Sequence, residues 1–251
     1  MQKTARAFCG RLFFCIVLGL PFHAVARDRS GNSQQPGAGE ASEAALIGIF
    51  YDMKQTQKHE PIEMDRKQFD SVIAKFIDGE WDEAVIKGFY RVPRPLYTTQ
   101  LFIDTINSDD GPKAFGVEKT VQSRKWMVHY KGQVTPPEDG IYRFIGNADD
   151  FLGVAVNGKT VLFAIHSAPH VKWFAKEQCD VRDFTAGDWF EARAGKPVDL
   201  DIMTGDSPGG QFRCLLGIEK KGVDNHGRVV PFQLSPTEKT PPGARLWKGI
   251  Q

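Results

Sequence analysis

Residues 126–162 constrain the possible folds of this chain more than any other part of the sequence. They contain three short stretches with the period of two that is typical of β-strands. Two marked turns separate them: Pro-Pro-Glu-Asp-Gly at 136–140, and Asn157-Gly158, a strong signal for a two-residue hairpin. We therefore predict a rigid β scaffold here, with an adjacent acid pair, Asp149 and Asp150, between two of its strands.

The strand pattern extends well beyond this segment. Short alternating or apolar stretches bounded by Gly, Pro and polar turns are typical of an antiparallel sandwich or barrel. The sequence therefore predicts a mainly β, antiparallel β-sandwich or barrel fold. The further predicted strands are at 101–103, 161–165, 198–202, 212–218 and 229–234.

One helix is predicted near the N-terminal side of the β region. Asp65 is placed to cap its start, Gln68 completes a capping-box pattern, and Gly79 follows its end. A second short helix is predicted at 81–87, which gives a helical elaboration at about 65–88. The apolar residues at helical spacing, which we interpret as a packing face, are Phe69, Val72, Ile73, Phe76 and Ile77.

The first 26 residues have the order of a secretory signal. Basic residues come first, an apolar run follows at 12–20, and Ala-Val-Ala at 24–26 offers small residues for cleavage. The apolar run is too short to span a bilayer. We expect residues 1–26 to be a signal peptide and the mature protein to be secreted, to the periplasm or outside the cell.

The rest of the chain divides by composition. Residues 27–43 are polar, small and Gly-rich, which predicts a disordered leader because they have almost nothing to bury. We expect a single folded domain at 44–236 and a C-terminal tail at 237–251.

The charge of the chain argues against two classes of partner. The formal net charge is +1, and removing the three basic residues of the signal leaves −2. A near-neutral chain gives no indication of binding to nucleic acid or to an acidic membrane surface. No second apolar stretch is long enough to cross a bilayer, so we expect no membrane span in the mature chain.

Two cysteines follow the predicted signal, Cys179 and Cys214. In an oxidising compartment an even pair favours a disulfide. The alternative is a pair of buried, unbonded thiols.

These motifs carry a resemblance to a known family. Residues 126–162 resemble the core of the protective-antigen (PA-14) domain, a lectin-like β-sandwich module of bacterial toxins, glycosidases and fungal adhesins. Residues 47–52 resemble the family's opening strand, and 195–218 resemble its late hairpin. Residues 54–97 depart from its simplest form, and we interpret them as an elaboration packed on the sandwich. The matching core features are an aromatic strand ending in Gly132, a Pro-rich turn, a Gly-x-Tyr-x-Phe strand at 140–144, Asp149-Asp150, and a strand ending in Asn157-Gly158.

The resemblance implies a metal site. In the adhesin branch the adjacent acids hold calcium, and the ion contacts sugar hydroxyls, so the matching ligands here are Asp149 and Asp150. Asp224 and Asn225 stand where the second calcium loop of the adhesins would fall. Adjacent side chains on a regular strand point to opposite faces, and the adhesins meet this constraint with a cis peptide between the acids. The alternative for the pair is a solvated turn, or an Asp that bonds its own backbone.

Two aromatic pairs are candidate binding residues. Trp173 and Trp189, each followed by Phe, are candidates for a stacking platform for a sugar or a peptide; the alternative is that they belong to the core. We recognise no nucleophile elbow, P-loop, dinucleotide fingerprint or zinc-protease motif, so we do not expect an enzyme.

Two functional hypotheses follow from the sequence. The first is a secreted, non-catalytic module for calcium-assisted recognition of a carbohydrate, such as a cell-envelope glycan. The second is a structural or protein-interaction module of the cell envelope with no sugar or metal site. The family hosts both, so the fold alone does not decide between them.

Overall fold

A computed structural model describes residues 45–165, 184–240 and 242–250. The predicted signal peptide (1–26), the predicted leader (27–43), Trp173 and Cys179 lie outside the described residues. Within the part of the chain that is described, neither helix has the length and apolarity that crossing a bilayer requires.

The described residues form thirteen strands and two α-helices. The helices are α1 (Arg66–Asp78) and α2 (Asp110–Ala114). The strands are β1 (Leu46–Asp52), β2 (Tyr90–Arg91), β3 (Leu96–Thr98), β4 (Phe102–Asn107), β5 (Trp126–Thr135), β6 (Gly140–Ala148), β7 (Phe151–Val156), β8 (Lys159–Ile165), β9 (Thr185–Ala186), β10 (Phe190–Ala192), β11 (Val198–Asp206), β12 (Gln211–Lys220) and β13 (Lys248–Ile250).

The strands make two antiparallel sheets, which confirms the predicted β-sandwich class. The larger sheet has the order β2-β1-β5-β11-β7-β8, with β3 also beside β1 and β13 beside β5. The smaller has the order β10-β6-β12-β4, with β9 beside β6. Alternation along each strand sends one set of side chains between the sheets. The largest fully buried members of this core are Phe50, Trp126, Tyr130, Phe144, Phe212 and Phe232.

The hairpin between β7 and β8 has the predicted turn. Asn157 and Gly158 have φ values of 51° and 76°. Two successive positive φ angles define the type I′ turn, whose twist matches the twist of paired strands. The register then pairs Val156 with Lys159.

Helix α1 confirms the predicted elaboration and its caps. Asp65 and Gln68 form the capping box, and Gly79 ends the helix. The apolar face of α1 packs on the residues of the larger sheet that alternate with those of the main core, so it covers the outer face of that sheet. The helix residues buried there are Phe69, Ile73, Phe76 and Ile77.

Two sequence predictions need correction. Residues 81–87 contain only a 3-10 turn, Glu83–Val85. Residues 229–234 form isolated bridges at Pro231 and Gln233 in place of a strand, because a proline has no N–H to continue a ladder.

The segment predicted as a tail is part of the fold. Lys248–Ile250 form β13 and pair with β5. Trp247, only 3% exposed, lies in the main core against Tyr142 and Phe232. Its burial supplies the apolar contact that holds a short terminal strand in place.

Candidate metal centre

Three acids lie close together at one end of the larger sheet, where strand β11 ends and its neighbour β7 begins. Strands β11 and β7 are antiparallel, and Gly205 pairs with Phe151. Asp206, the last residue of β11, therefore lies beside Asp150, which immediately precedes β7. Asp149, Asp150 and Asp206 each offer a carboxylate oxygen, and these oxygens all lie within 4.8 Å of one another.

The backbone at Asp149 and Asp150 lets both acids join one cluster. The two residues form a bend between β6 and β7, so the strict alternation of a strand does not apply to them. The peptide bonds of the described residues, including the one between these acids, are trans. The Asp149 N–H donates to the Arg213 carbonyl oxygen of β12 at 3.0 Å, which ties the bend to the smaller sheet.

Asp150 is buried and has a partner at each oxygen. It is 6% exposed. Its Oδ2 accepts a hydrogen bond from the Ser207 N–H at 2.8 Å. Its Oδ1 lies 3.3 Å from Nη2 of Arg66, the first residue of α1.

Asp206 is fully buried and has a partner at one oxygen only. Its Oδ1 accepts from the Gly209 N–H at 2.6 Å, and Gly209 has a φ of 84°, a conformation that favours glycine. No hydrogen-bond donor from the described residues reaches its Oδ2. The Ser108 hydroxyl lies 2.8 Å from the Ser123 carbonyl oxygen and also lies close enough to Asp206 to lower its pKa.

The electrostatics of the cluster disfavour charge on the buried acids. Burial and, to a smaller extent, the negative charge of Asp150 raise the pKa of Asp206, and hydrogen bonds from the Gly209 N–H and the Ser108 side chain lower it; the net result is a pKa of about 7. Burial also raises the pKa of Asp150. The hydrogen bond from the Ser207 N–H and the charge of the Arg66 guanidinium lower it, but by less. A bound cation would reverse this preference, because it stabilises the ionised form of each acid.

The donor set fits a hard cation. Calcium takes six to eight oxygen ligands in flexible geometry, whereas magnesium demands near-ideal octahedral geometry. The half-buried Asp149 carboxylate, Asp150 Oδ1 and the unpartnered Asp206 Oδ2 are oxygens that an ion can use. The residues present therefore fit calcium, with the remaining ligands supplied from elsewhere.

The structure does not bring Asp224 and Asn225 to this cluster. Both lie in the loop after β12, and the adjacent Lys220 pairs with Tyr142 near the start of β6. Asp149 follows the other end of β6, roughly 20 Å away along the strand. The exposed Asp224 carboxylate instead accepts from the His226 N–H at 2.7 Å. Because the register of β12 on β6 places them this far away, Asp224 and Asn225 do not share an ion with Asp149 and Asp150, and that prediction is wrong.

Trp189 lies on the surface, away from the acids. It is 40% exposed and precedes β10. Its ring centroid is 4.6 Å from the guanidinium carbon of Arg143, which is five residues before the end of β6 and so roughly 15 Å along the strand from that end. The next residue, Phe190, stacks on Phe144 at 5.5 Å and belongs with the core. The structure thus separates the predicted aromatic pair into one surface and one core residue.

Cys214 is fully buried between the sheets, and it has no disulfide partner among the described residues. Burial raises the pKa of this thiol to about 12, although a hydrogen bond with Thr204 opposes the shift. Its predicted partner Cys179 is outside the described residues, so the disulfide stays a prediction.

A cavity of about 610 Å³ opens beside the loop that holds Asp206. Residues 118–124 and 208–210 line it, together with Asp109. Gly209, whose N–H donates to Asp206, is one of these residues, although none of the three acids lines the cavity. Its walls carry polar and charged side chains, among them Gln122 and Arg124.

Sequence reasoning missed Asp206, although a signal was present. The acid follows an alternating strand and precedes Ser-Pro-Gly-Gly, a turn sequence. What the sequence does not reveal is that β11 pairs with β7. Without that neighbour relation, an acid 56 residues beyond Asp150 has no reason to be placed next to it.

Comparison with known proteins gives structural likeness without sequence matches. No family model matches the chain, and no curated protein matches it. The structure is similar to PA14 domains.

Three solved structures illustrate this similarity. The PA14 sugar-binding domain from an RTX adhesin is 15% identical, with a TM-score of 0.46 over 73% of this chain and 93% of that one. The PA14 domain of the MpAFP antifreeze protein is 12% identical, with a TM-score of 0.42 over 78% and 92%. The Epithelial Adhesin 6 A domain from Candida glabrata, in complex with Galβ1-3GlcNAc, is 11% identical, with a TM-score of 0.45 over 75% and 85%.

Proposed function

We propose that this protein is an exported, non-catalytic module that recognises a glycan through a calcium ion held by Asp149, Asp150 and Asp206. The observation that carries the proposal is the convergence of three carboxylates, whose oxygens lie within 4.8 Å of one another, together with the buried Asp206 Oδ2, for which hydrogen-bond geometry identifies no donor among the described residues. Buried negative charge that is only partly compensated by hydrogen bonds is costly, and a cation lowers that cost. The likeness of Asp149-Asp150 to the acid pair of the adhesin branch supports the same assignment.

The charges around the cluster suit a divalent ion. The cluster contains three carboxylates, and the ion pair recorded for it is the one between Asp150 and the guanidinium of Arg66. An ion of charge +2 can offset the remaining negative charge, and calcium, unlike magnesium, tolerates ligand geometries that depart from an ideal octahedron.

The sugar would complete the coordination shell. Neutral hydroxyl oxygens are hard ligands of the kind calcium accepts. Asp149 is the most exposed of the three acids, so a sugar would reach the ion from its side. The cavity near Gly209 offers polar groups such as Gln122 and Arg124 to the rest of a saccharide. In this arrangement the ion fixes the position of one sugar unit, and the cavity walls select among glycans.

Calcium titration by calorimetry tests the metal site. We expect the Asp206→Asn variant to bind calcium at least about tenfold more weakly than the parent, because it loses a charged ligand of nearly unchanged shape. The matched control is Asp224→Asn, which removes the same charge from the far end of the smaller sheet and should leave affinity unchanged. Equal binding by parent and Asp206→Asn would refute the site.

A glycan array with and without a chelator tests the sugar. Calcium-dependent binding to a defined set of glycans is expected, and loss of that binding in Asp206→Asn should follow the loss of calcium. Calcium binding without any glycan binding would leave the metal site standing and refute the carbohydrate assignment.

The exposed Trp189 favours the second candidate, a protein-interaction module of the cell envelope. Ile141, on the neighbouring strand β6, is 42% exposed and adds apolar surface beside it. Large exposed aromatic residues with adjacent apolar surface are common at protein interfaces. A partner that binds equally with and without chelator, and is lost on Trp189→Ala, would support this candidate over the first.

A further inference from the structure

Arg66 connects the helical elaboration to the acid cluster. Its Nη2 lies 3.3 Å from Asp150 Oδ1, and its Nε lies 3.6 Å from Asp70 Oδ2, one helical turn along α1. The side chain of Asp150 is 7% exposed, whereas that of Arg66 is 45% exposed. A partly exposed cation from the helix thus reaches a buried anion on the sandwich.

The fold holds the backbone of Arg66 in place but leaves its side chain room to move. The capping box formed by Asp65 and Gln68 fixes the start of α1. Phe69, the first apolar residue of the helix, is fully buried, and its ring contacts that of Phe151, which follows Asp150, in a tilted arrangement with 5.9 Å between the ring centroids. The guanidinium therefore remains within reach of both Asp150 and Asp70, and the exposed position of Asp70 makes it the looser partner.

Arg66 occupies an oxygen that a metal ion needs. Asp150 Oδ2 already accepts a buried hydrogen bond from the Ser207 N–H, so we take Oδ1, which pairs with the partly exposed Arg66, as the oxygen that an ion would use. A guanidinium and a calcium ion repel each other, and both seek the same carboxylate. Occupation of Oδ1 by one therefore weakens occupation by the other.

We propose that Arg66 is a built-in competitor of the cation: it pairs with Asp150 when no ion is bound and turns to Asp70 when calcium takes Oδ1. This inference rests on the proposed calcium site. Its consequence is that the helical elaboration, which is absent from the simplest form of this domain, sets the calcium concentration at which the site fills.

The test compares calcium affinities of the secreted protein and three variants by calorimetry. Arg66→Gln should bind calcium about tenfold more tightly, because a unit charge a few ångströms from a divalent ion is removed at a partly exposed position. Lys67→Gln removes the same charge from the next, exposed residue of α1 and should change affinity less than about twofold, because its charge is screened by solvent. Arg66→Lys keeps the positive charge and should keep most of the parental affinity.

A double-mutant cycle with Asp70 tests the alternative partner. Asp70→Asn in the parent should weaken calcium binding, because Arg66 then has no carboxylate to pair with once calcium displaces it from Asp150. The same change in Arg66→Gln should have a much smaller effect, since no guanidinium then remains to be displaced. Equal effects in the two backgrounds would contradict the exchange between Asp150 and Asp70.

The outcomes separate the two proposals. If the parent binds calcium and Arg66→Gln binds it equally or more weakly, the competition is refuted and the calcium site stands. If only Arg66→Gln binds calcium, the competition is supported and calcium binding by the parent is refuted. If neither binds calcium, both proposals fail. Thermal unfolding of each variant with chelator present establishes that the compared proteins are folded.

Discussion

Asp206 lies in an environment that disfavours its charged form, so the free energy of unfolding should depend on pH. Its pKa is 3.8 in an unperturbed chain and about 7 in the fold. Between these values the unfolded chain has released the proton while the folded protein retains it. The free energy of unfolding therefore falls as pH rises from about 4 to about 7, by about 4 kcal/mol at most, and the loss is complete above that range.

Asp206→Asn should remove this pH dependence in the absence of calcium. The neutral amide has no proton to lose, so the variant should be more stable than the parent at pH 8 and similar to it near pH 4. Denaturant unfolding in the presence of chelator across this range measures the effect. Parallel pH profiles for the two proteins would contradict the raised pKa.

Helix α1 depends on tertiary packing more than on its own sequence. Phe76 is fully buried and contacts Trp81 and His129, with ring centroids 5.3 Å away in each case. Removing its ring leaves a cavity between the helix and the larger sheet. We expect Phe76→Ala to lower the free energy of unfolding by roughly 3–5 kcal/mol.

The neighbouring Lys75 provides the control for this prediction. It is exposed on the opposite side of the helix, so Lys75→Ala should change stability by less than about 0.5 kcal/mol. Denaturant unfolding of both variants measures the difference. A small effect of Phe76→Ala would mean that α1 is not packed on the sheet as described.

The C-terminal strand ties the two sheets of the molecule together. Strand β13 pairs with β5 of the larger sheet, while the adjacent Trp247 contacts Tyr142 of the smaller one at 5.2 Å between ring centroids. We expect Trp247→Ala to destabilise the whole domain by roughly 3–5 kcal/mol in a single unfolding transition.

Ile250 offers a matched control on the same strand. It is 36% exposed, so Ile250→Ala should have a much smaller effect on the melting temperature. Scanning calorimetry distinguishes the outcomes. If Trp247→Ala melted at the parental temperature, residues 247–250 would contribute nothing to stability and would behave as part of the C-terminal tail that the sequence predicted at 237–251.

Local structure was predictable from the sequence wherever the interacting residues are close together along the chain. The Asp65–Gln68 capping box, the apolar face of α1 and the Asn157-Gly158 turn each depend on residues within a few positions of one another. Alternation of side chains likewise predicted the β class, because it reports one buried face of a strand without reference to the partner strand.

The composition of the acid cluster was decided by strand pairing, which local patterns do not encode. The sequence supplied Asp149-Asp150, and the antiparallel pairing of β11 with β7 supplied Asp206 in place of Asp224 and Asn225. Arg66 joined the cluster because α1 packs across the outer face of the larger sheet. Sequence by itself determined the long alternating strands, the Asn157-Gly158 turn and the caps of α1, since those preferences act over a few bonds. Only the tertiary structure decided which distant carboxylates and cations meet, because burial of two apolar sheet faces and one helix sets the register that brings them together.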